Sequence, residues 1–315
     1  MSEQHWSKTQ ERGSYLGMQF LLGVYKLFGR RVLWLFMFVV VFYFYVSGRK
    51  ARRASLDYWR RLHTFDPSQP KPSFGTGLKH FCTFADSAFD KIDAWLGRIT
   101  PAQLRYQNQH LFDDLVARRQ GAIFIGSHLG NLEVCRALGM RHQNCVINVL
   151  VFTEHAVEFN RTLGRINPNV SVNLIQVSDM GPDLAILLKS KVEQGEFVVI
   201  VGDRTSTSAV GRVHYASFLG EPAPFAQGPF ILAALLECPI YWLFCTRSGD
   251  GFDVHFSHYS EALSLPRKTR QQALAQVIDD YAQELQRVTL QCPYQWFNFY
   301  DFWQRDEDSV RHKEK

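Results

Sequence analysis

The chain of 315 residues is 46% hydrophobic and carries 35 Lys and Arg against 30 Asp and Glu, a formal net charge of +5. It can bury a substantial core as one large domain or two small ones, and no internal repeat is evident. The six cysteines are scattered, mostly within apolar runs and with no CxxC pair, which argues against a disulfide framework or a zinc site and fits buried thiols in a reducing compartment.

With 25 Phe, 12 Tyr and 7 Trp the chain is unusually aromatic, and this basic, ring-rich composition suits a membrane surface at least as well as nucleic acid. From Tyr15 to Val46 only Lys26, Arg30 and Arg31 are charged, and Val32 to Gly48 is an uncharged run of seventeen residues, the short limit for crossing a bilayer. It lacks a small-residue cleavage site, so it is expected to stay attached. Arg49, Lys50, Arg52, Arg53, Arg60 and Arg61 follow, a cluster that belongs beside anionic headgroups on the cytoplasmic side. A buried core helix is the alternative, but a soluble core does not need so many rings flanked by arginines. With the basic residues gathered beside the anchor and no binding motif in view, a nucleic-acid partner is not expected.

Residues 1–63 are therefore predicted as a membrane anchor with its basic segment, and 64–77, with Pro67, Pro70 and Pro72, as a linker. Residues 78–304 form the catalytic domain and 305–315 a charged tail. Leu78 to Leu96 repeats apolar residues at helical spacing, and its aromatic stripe reads as core or bilayer contact.

Beyond Leu104 short apolar runs alternate with helical stretches. Strands are predicted at Ala122 to Ile125, Cys145 to Phe152, Val172 to Val177, Phe197 to Val201, Ile240 to Cys245 and Phe252 to Tyr259. Helices are predicted near Asn131 to Met140, His155 to Ile166, Pro182 to Gln194, Gly228 to Glu237 and Leu265 to Leu290. The alternation predicts an α/β fold, a mixed sheet with flanking helices and an added N-terminal membrane helix, with ligands bound where the strands end. The loop from Gly211 to Gly228 is expected either to cover an acyl chain or to pack as an ordinary loop. The aromatic run Tyr294 to Trp303 is either a closing core strap or a membrane-facing belt. His255 and His258 lie on opposite faces of their strand, which argues against a shared metal.

The chemistry concentrates at Gly121 to Leu138. His128 leaves a buried strand and Glu133 follows just inside the next helix, so a turn brings its carboxylate back against the ring. A carboxylate that takes one ring proton fixes the tautomer and leaves the other nitrogen free as a general base. A His and a Glu at this spacing are also often a surface pair or cap; the strand-end position favours chemistry. Gly130 lets the backbone approach a substrate, Asn131 opens the helix, and the helix N-terminus adds a positive field. At a second strand exit come Asp203 and Arg204, two further substrate-binding candidates; the arginine can hold a phosphate or a developing oxyanion through its planar fork, although an Asp-Arg pair capping a loop explains the same letters. Arg161 and Arg165, one helical turn apart, offer a weaker anionic contact. A covalent route through Ser127 or Cys135 is disfavoured, since no GxSxG elbow surrounds Ser127 and Cys135 sits in an apolar helix.

On these residues the chain resembles the bacterial lipid A late acyltransferases, the lauroyl and myristoyl transferases acting on a glycolipid hydroxyl at the inner membrane. The resemblance runs from the N-terminal helix to Pro293-Tyr294-Gln295-Trp296. Its most specific element is HxxxxE, here His128-Leu129-Gly130-Asn131-Leu132-Glu133, a variant of the HxxxxD motif of glycerolipid acyltransferases. Gly202-Asp203-Arg204 looks like the family's second block. The resemblance implies a glycerolipid-acyltransferase-like fold and catalytic roles for His128 and Glu133. It also implies acyl transfer from an acyl-carrier-protein or coenzyme A thioester to a lipid or glycolipid hydroxyl, without cofactor or metal, by a monomer on the inner membrane facing the cytoplasm. One departure stands out. Where the lipid A enzymes carry a His-Arg-Arg-type segment, this chain has Asn298-Phe299-Tyr300-Asp301-Phe302-Trp303, which points away from a bisphosphorylated acceptor and toward another lipid, such as an aryl polyene or polyketide-type product. A thioesterase, or a silent scaffold binding acyl carrier protein through positive charge, is the competing expectation.

Overall fold

The computed structural model describes residues 15–135, 145–151, 172–177, 181–204 and 212–304. These fall into two compact units, one built from residues 15–89 with 298–304 and the other from the described residues between 90 and 297.

The first unit is helical. α1 (Tyr15–Ser47) is broken at Gly29, α2 (Arg49–Phe65) follows after Gly48, and α3 (Phe74–Trp95) contributes its residues up to Phe89. The turn into α2 is tied by Arg52, whose Nη1 donates to the Tyr45 and Val46 carbonyls at 2.9 and 2.6 Å and so satisfies the open end of α1. Asp86 on α3 accepts from Arg30 at 3.1 Å and from the Trp34 indole at 2.7 Å. Among the described residues no single helix is both long and apolar enough to cross a membrane; the pair Val32–Ser47 and Arg49–Phe65, bent by 87°, passes that test together. The break between α2 and α3 is shorter than the expected linker. Ser73 accepts the Thr76 N–H at 3.0 Å and caps a helix that starts four residues before Leu78, ahead of Gly75 and Gly77.

The second unit is α/β. A sheet of seven strands runs β1 (Leu104–Tyr106), β9 (Gly251–Ser260), β8 (Ile240–Ser248), β2 (Ala122–Gly126), β5 (Phe197–Val201), β3 (Ile147–Val151), β4 (Val172–Gln176). All neighbours are parallel except the β8–β9 hairpin, so the sheet is mixed as expected. β2 is buried along its whole length, which is what a central strand covered on both faces requires. On one face Phe124 meets Phe112 of α4 (Gln109–Ala117), Phe197 and Phe256 at centroid distances of 6.2, 5.1 and 5.1 Å. On the other, Tyr281 of α7 (Arg270–Gln291) packs on Trp242, Phe244 and Phe230, the last from α6 (Gly228–Leu236). α5 (Pro182–Glu193) precedes β5.

Two expectations change. β1 and α4 occupy a stretch that carried no prediction, and the loop before α6 is a two-stranded hairpin, β6 (Val213–Phe218) with β7 (Glu221–Ala226). Pro222 and Pro224 conceal it, because proline in a strand ordinarily signals an edge or no strand at all. Leu219 and Gly220, both at positive φ, make the tight hairpin turn. The aromatic tail is a strap: Trp296, Phe297, Phe302 and Trp303 are all buried. The predicted helix at His155 to Ile166 lies outside the described residues.

Phe124→Ala is expected to cost about 3–5 kcal/mol of stability, since it empties the centre of the aromatic cluster. The midpoint of chemical denaturation, followed by far-UV circular dichroism, measures it.

Candidate active site

The parallel pairing of β2 with β5 ends at Gly126 opposite Val201. Two residues beyond each lie His128 and Asp203, so the register alone sets these two side chains beside each other. The close exit is held in place by Gly126, whose carbonyl accepts the Gly202 N–H at 2.9 Å and the buried Tyr281 hydroxyl at 2.7 Å. Gly202 leaves room for that phenol; a Cβ there would lie 2.8 Å from its ring carbon.

Asp203 is wholly buried, and its carboxylate meets three donors. Oδ1 accepts from His128 Nδ1 at 2.8 Å, while Oδ2 accepts from the His128 backbone N–H at 2.8 Å and from Trp296 Nε1 at 3.0 Å. Arg204 Nε donates to His128 Nε2 at 3.2 Å. An arginine N–H can only donate, so Nε2 is the bare nitrogen and the ring proton sits on Nδ1, facing Asp203. This is the tautomer a general base needs, and the carboxylate that fixes it comes from Asp203.

The expected partner acid, Glu133, is placed differently. Its carboxylate lies 3.6 Å from Lys91 Nζ, and its backbone N–H is capped by Asn131 Oδ1 at 3.1 Å. Nearness in sequence suggested the pair; the parallel strand neighbour supplies it instead. Asp203, expected to face substrate, is enclosed and serves the histidine.

The described part of the expected helix at Asn131 is a 3₁₀ turn, Leu132–Cys135, and the rest of that prediction, to Met140, lies outside the described residues. Gly130, at φ 71°, lets the backbone approach β8: a Cβ there would run into the Cys245 carbonyl. The backbone N–H groups along the loop are committed. That of His128 goes to Asp203, Leu129 to Ser127 Oγ at 3.0 Å, Gly130 to the Gln295 carbonyl at 2.7 Å and Asn131 to the Cys245 carbonyl at 2.8 Å. None of these four forms an oxyanion hole in this arrangement. Ser127 is nearly buried and accepts within its own turn, a poor setting for a nucleophile. Arg161 and Arg165 lie outside the described residues, as do the hydroxyls that follow Arg204.

Loss of hydration is the largest influence on His128 and lowers its pKa below the usual 6.5, although a third of the side chain stays open. Asp203 pulls the value up and Arg204 pulls it down again, with Lys91 adding to the lowering. Burial is also the largest influence on Asp203 and pushes upward, but the charge and hydrogen bonds of His128, with Arg204, outweigh it and hold the carboxyl below 3.8. At neutral pH the site is thus a neutral imidazole between a carboxylate and a guanidinium.

Sequence reasoning overlooked Trp296 as a member of the site and mistook the role of Asp203. The signal available was the pair of adjacent strand exits, each ending in a polar residue two positions past its last buried one.

A lowered histidine pKa means that the unfolded chain binds more protons than the folded one as the pH drops below 6.5, so this contribution is intact above 6.5 and lost on acidification. The Asp203 contribution is lost in a lower window, below 3.8. Thermal unfolding of the wild type is expected to fall more steeply just below pH 6.5 than that of His128→Gln.

A family model described as "Bacterial lipid A biosynthesis acyltransferase" matches residues 73–305, most of the chain. No curated protein matches it.

Proposed function

The chain belongs to the bacterial lipid A biosynthesis acyltransferase family, an acyltransferase acting on lipid, and on that premise we propose that it moves a fatty acyl group from a thioester to a hydroxyl of a lipid or glycolipid, with His128 as general base. The observation that carries this reading is the pair of contacts on His128, Nδ1 at 2.8 Å from the Asp203 carboxylate and Nε2 at 3.2 Å from Arg204 Nε, from which Nε2 follows as the proton acceptor.

In the proposed reaction the acceptor hydroxyl takes the place of Arg204 at Nε2. Nε2 removes its proton as the oxygen attacks the thioester carbonyl, and a tetrahedral oxyanion forms. The displaced Arg204 guanidinium turns to that oxyanion, a role that falls to it because the loop N–H groups are committed elsewhere. Collapse breaks the carbon–sulfur bond, and the proton on Nε2 passes to the leaving thiolate. Positioning and one base suffice for a thioester, so the route draws on no metal or cofactor. Glu133, with Lys91 of α3 beside it, is assigned to polar parts of the acceptor, and Asn131, which accepts the Glu133 N–H, keeps the loop in shape.

The donor we propose is acyl carrier protein or coenzyme A, and the acceptor a lipid other than bisphosphorylated lipid A, because Asn298 to Trp303 carries no cation. The protein acts as a monomer at the cytoplasmic face of the bacterial inner membrane. What supports the membrane is α1, where Leu35, Val39 and Tyr43, four residues apart on one stripe, are 71%, 66% and 65% exposed and the basic residues of α2 come next. HxxxxE, with the second block at Asp203 and Arg204, fits this branch.

Full-length protein in detergent, given radiolabelled myristoyl-acyl carrier protein and a bacterial membrane lipid extract, is expected to produce a labelled lipid. His128→Ala should lower the rate by about 10²–10⁴-fold with circular dichroism unchanged. A folded variant of near-normal rate would overturn the reading, and label appearing only as free fatty acid would make the protein a thioesterase. Replacing Leu35, Val39 and Tyr43 together by Ser should reduce co-flotation with vesicles containing phosphatidylglycerol.

A further inference from the structure

The segment Gln295-Trp296-Phe297 lies along the loop that carries His128 and touches it on both sides. Gly130 N–H donates to the Gln295 carbonyl at 2.7 Å, Phe297 N–H donates to the His128 carbonyl at 3.0 Å, and Leu129 and Trp296 form an antiparallel bridge. The strap is itself pinned to β8. The Gln295 side-chain amide accepts the Arg247 N–H at 2.7 Å and donates to the Arg247 carbonyl at 2.8 Å, an amide acting as one more rung of a strand. From that anchored backbone the fully buried Trp296 ring packs against Phe218, centroids 5.0 Å apart, and its N–H reaches Asp203 Oδ2.

We propose that Trp296 is a positioning residue for the reaction, its indole N–H holding the Asp203 carboxylate in the orientation that presents His128 Nε2 to the acceptor hydroxyl. This rests on the general-base reading of His128 above. A buried carboxylate with an uncovered oxygen is costly and rotates to find donors. With Oδ2 shared between the indole and the His128 backbone, Oδ1 remains aimed at Nδ1. The indole also spreads the carboxylate charge, so that less of it bears on the imidazole. Among the described residues the other titratable or charged groups that act on the pair are Arg204 from the same strand exit, Lys91 from α3 and the Tyr281 phenol from α7, and the strap brings the neutral indole.

The test is Trp296→Phe, which keeps an aromatic ring on Phe218 and removes the N–H. Full-length protein labelled with ¹⁵N-histidine is titrated by NMR in detergent micelles, with His128→Gln identifying the resonance. The His128 pKa is expected to rise by about one unit, an ordinary size for the effect of one neighbour. In the myristoyl-acyl carrier protein assay kcat should fall about tenfold, the ordinary worth of one hydrogen bond to a charged group, with KM for the thioester within about twofold and the acid limb of the pH profile moved in the same direction. Phe218→Leu loosens the packing but leaves the N–H in place. It should lower Tm without moving the titration. Should Trp296→Phe fail to fold, the benzothiophene isostere of tryptophan, introduced at 296 by amber suppression, removes the N–H alone. An unshifted His128 titration in either form, or an equal shift in Phe218→Leu, overturns the proposal. The titration needs no turnover, so activity surviving in His128→Ala would defeat the general-base reading while leaving the link from Trp296 to His128 on trial by itself.

Discussion

A charged carboxylate with no exposed surface is the constraint around which this molecule is arranged. Burying an anion is affordable only when its lone pairs are filled, and Asp203 is filled by three donors from two distant stretches of chain. To bring them there the sheet must pair β2 with β5 in parallel and in one register, since a slip of one residue would turn His128 away. The exit from β5 must pass close to a phenol, which a side chain at 202 would prevent. The strap must lie against the histidine loop, and its glutamine must find the backbone of β8. Each of these is a packing fact with a chemical purpose: they leave one imidazole nitrogen bare and aimed.

The resting arrangement is also closed. Arg204 donates to the nitrogen proposed as the base, so its lone pair is satisfied while the guanidinium stays there. The loop around Gly130 has spent its amide protons on its own shape. In the reaction proposed above, charge developing on the carbonyl is therefore assigned to a side chain, and Arg204 is the cation that lies against His128 among the described residues. The segment where the lipid A enzymes carry basic residues is used here for packing: Phe299 meets His80 and Phe81 at a tilt and Phe84 edge-on, and Arg61 lies over Trp303 at 4.7 Å. Those rings belong to the helical unit.

The sequence made legible whatever depends on local pattern. The strands at 122, 147, 172, 197 and 240, the histidine at a strand exit and the long helix before Pro293 all follow from runs and periods. Features that depend on which strands become neighbours were not legible. Glu133 looked like the partner of His128 because it is close along the chain, whereas Asp203 is close across the sheet, and periodicity is silent on strand order. The hairpin at 213–226 was masked by its two prolines, and α3 began early because Ser73 caps it ahead of two glycines. Trp296 was visible as part of an aromatic run, but an indole N–H aimed at a carboxylate 93 residues away leaves no local trace.

Those separations bear on how the protein is made. His128 and Asp203 are 75 residues apart, and Asp203 and Trp296 another 93, so the candidate site is built from contacts far from local in sequence. As the nascent chain leaves the ribosome, the N-terminal helices and the early strands emerge long before the strap has been synthesised. Until then Asp203 lacks its indole partner and the histidine loop lacks the strap's backbone contacts. A growing chain thus carries the His128–Asp203 contact without its third member until residue 296 has been added, and the arrangement on which the proposed base depends is completed only then.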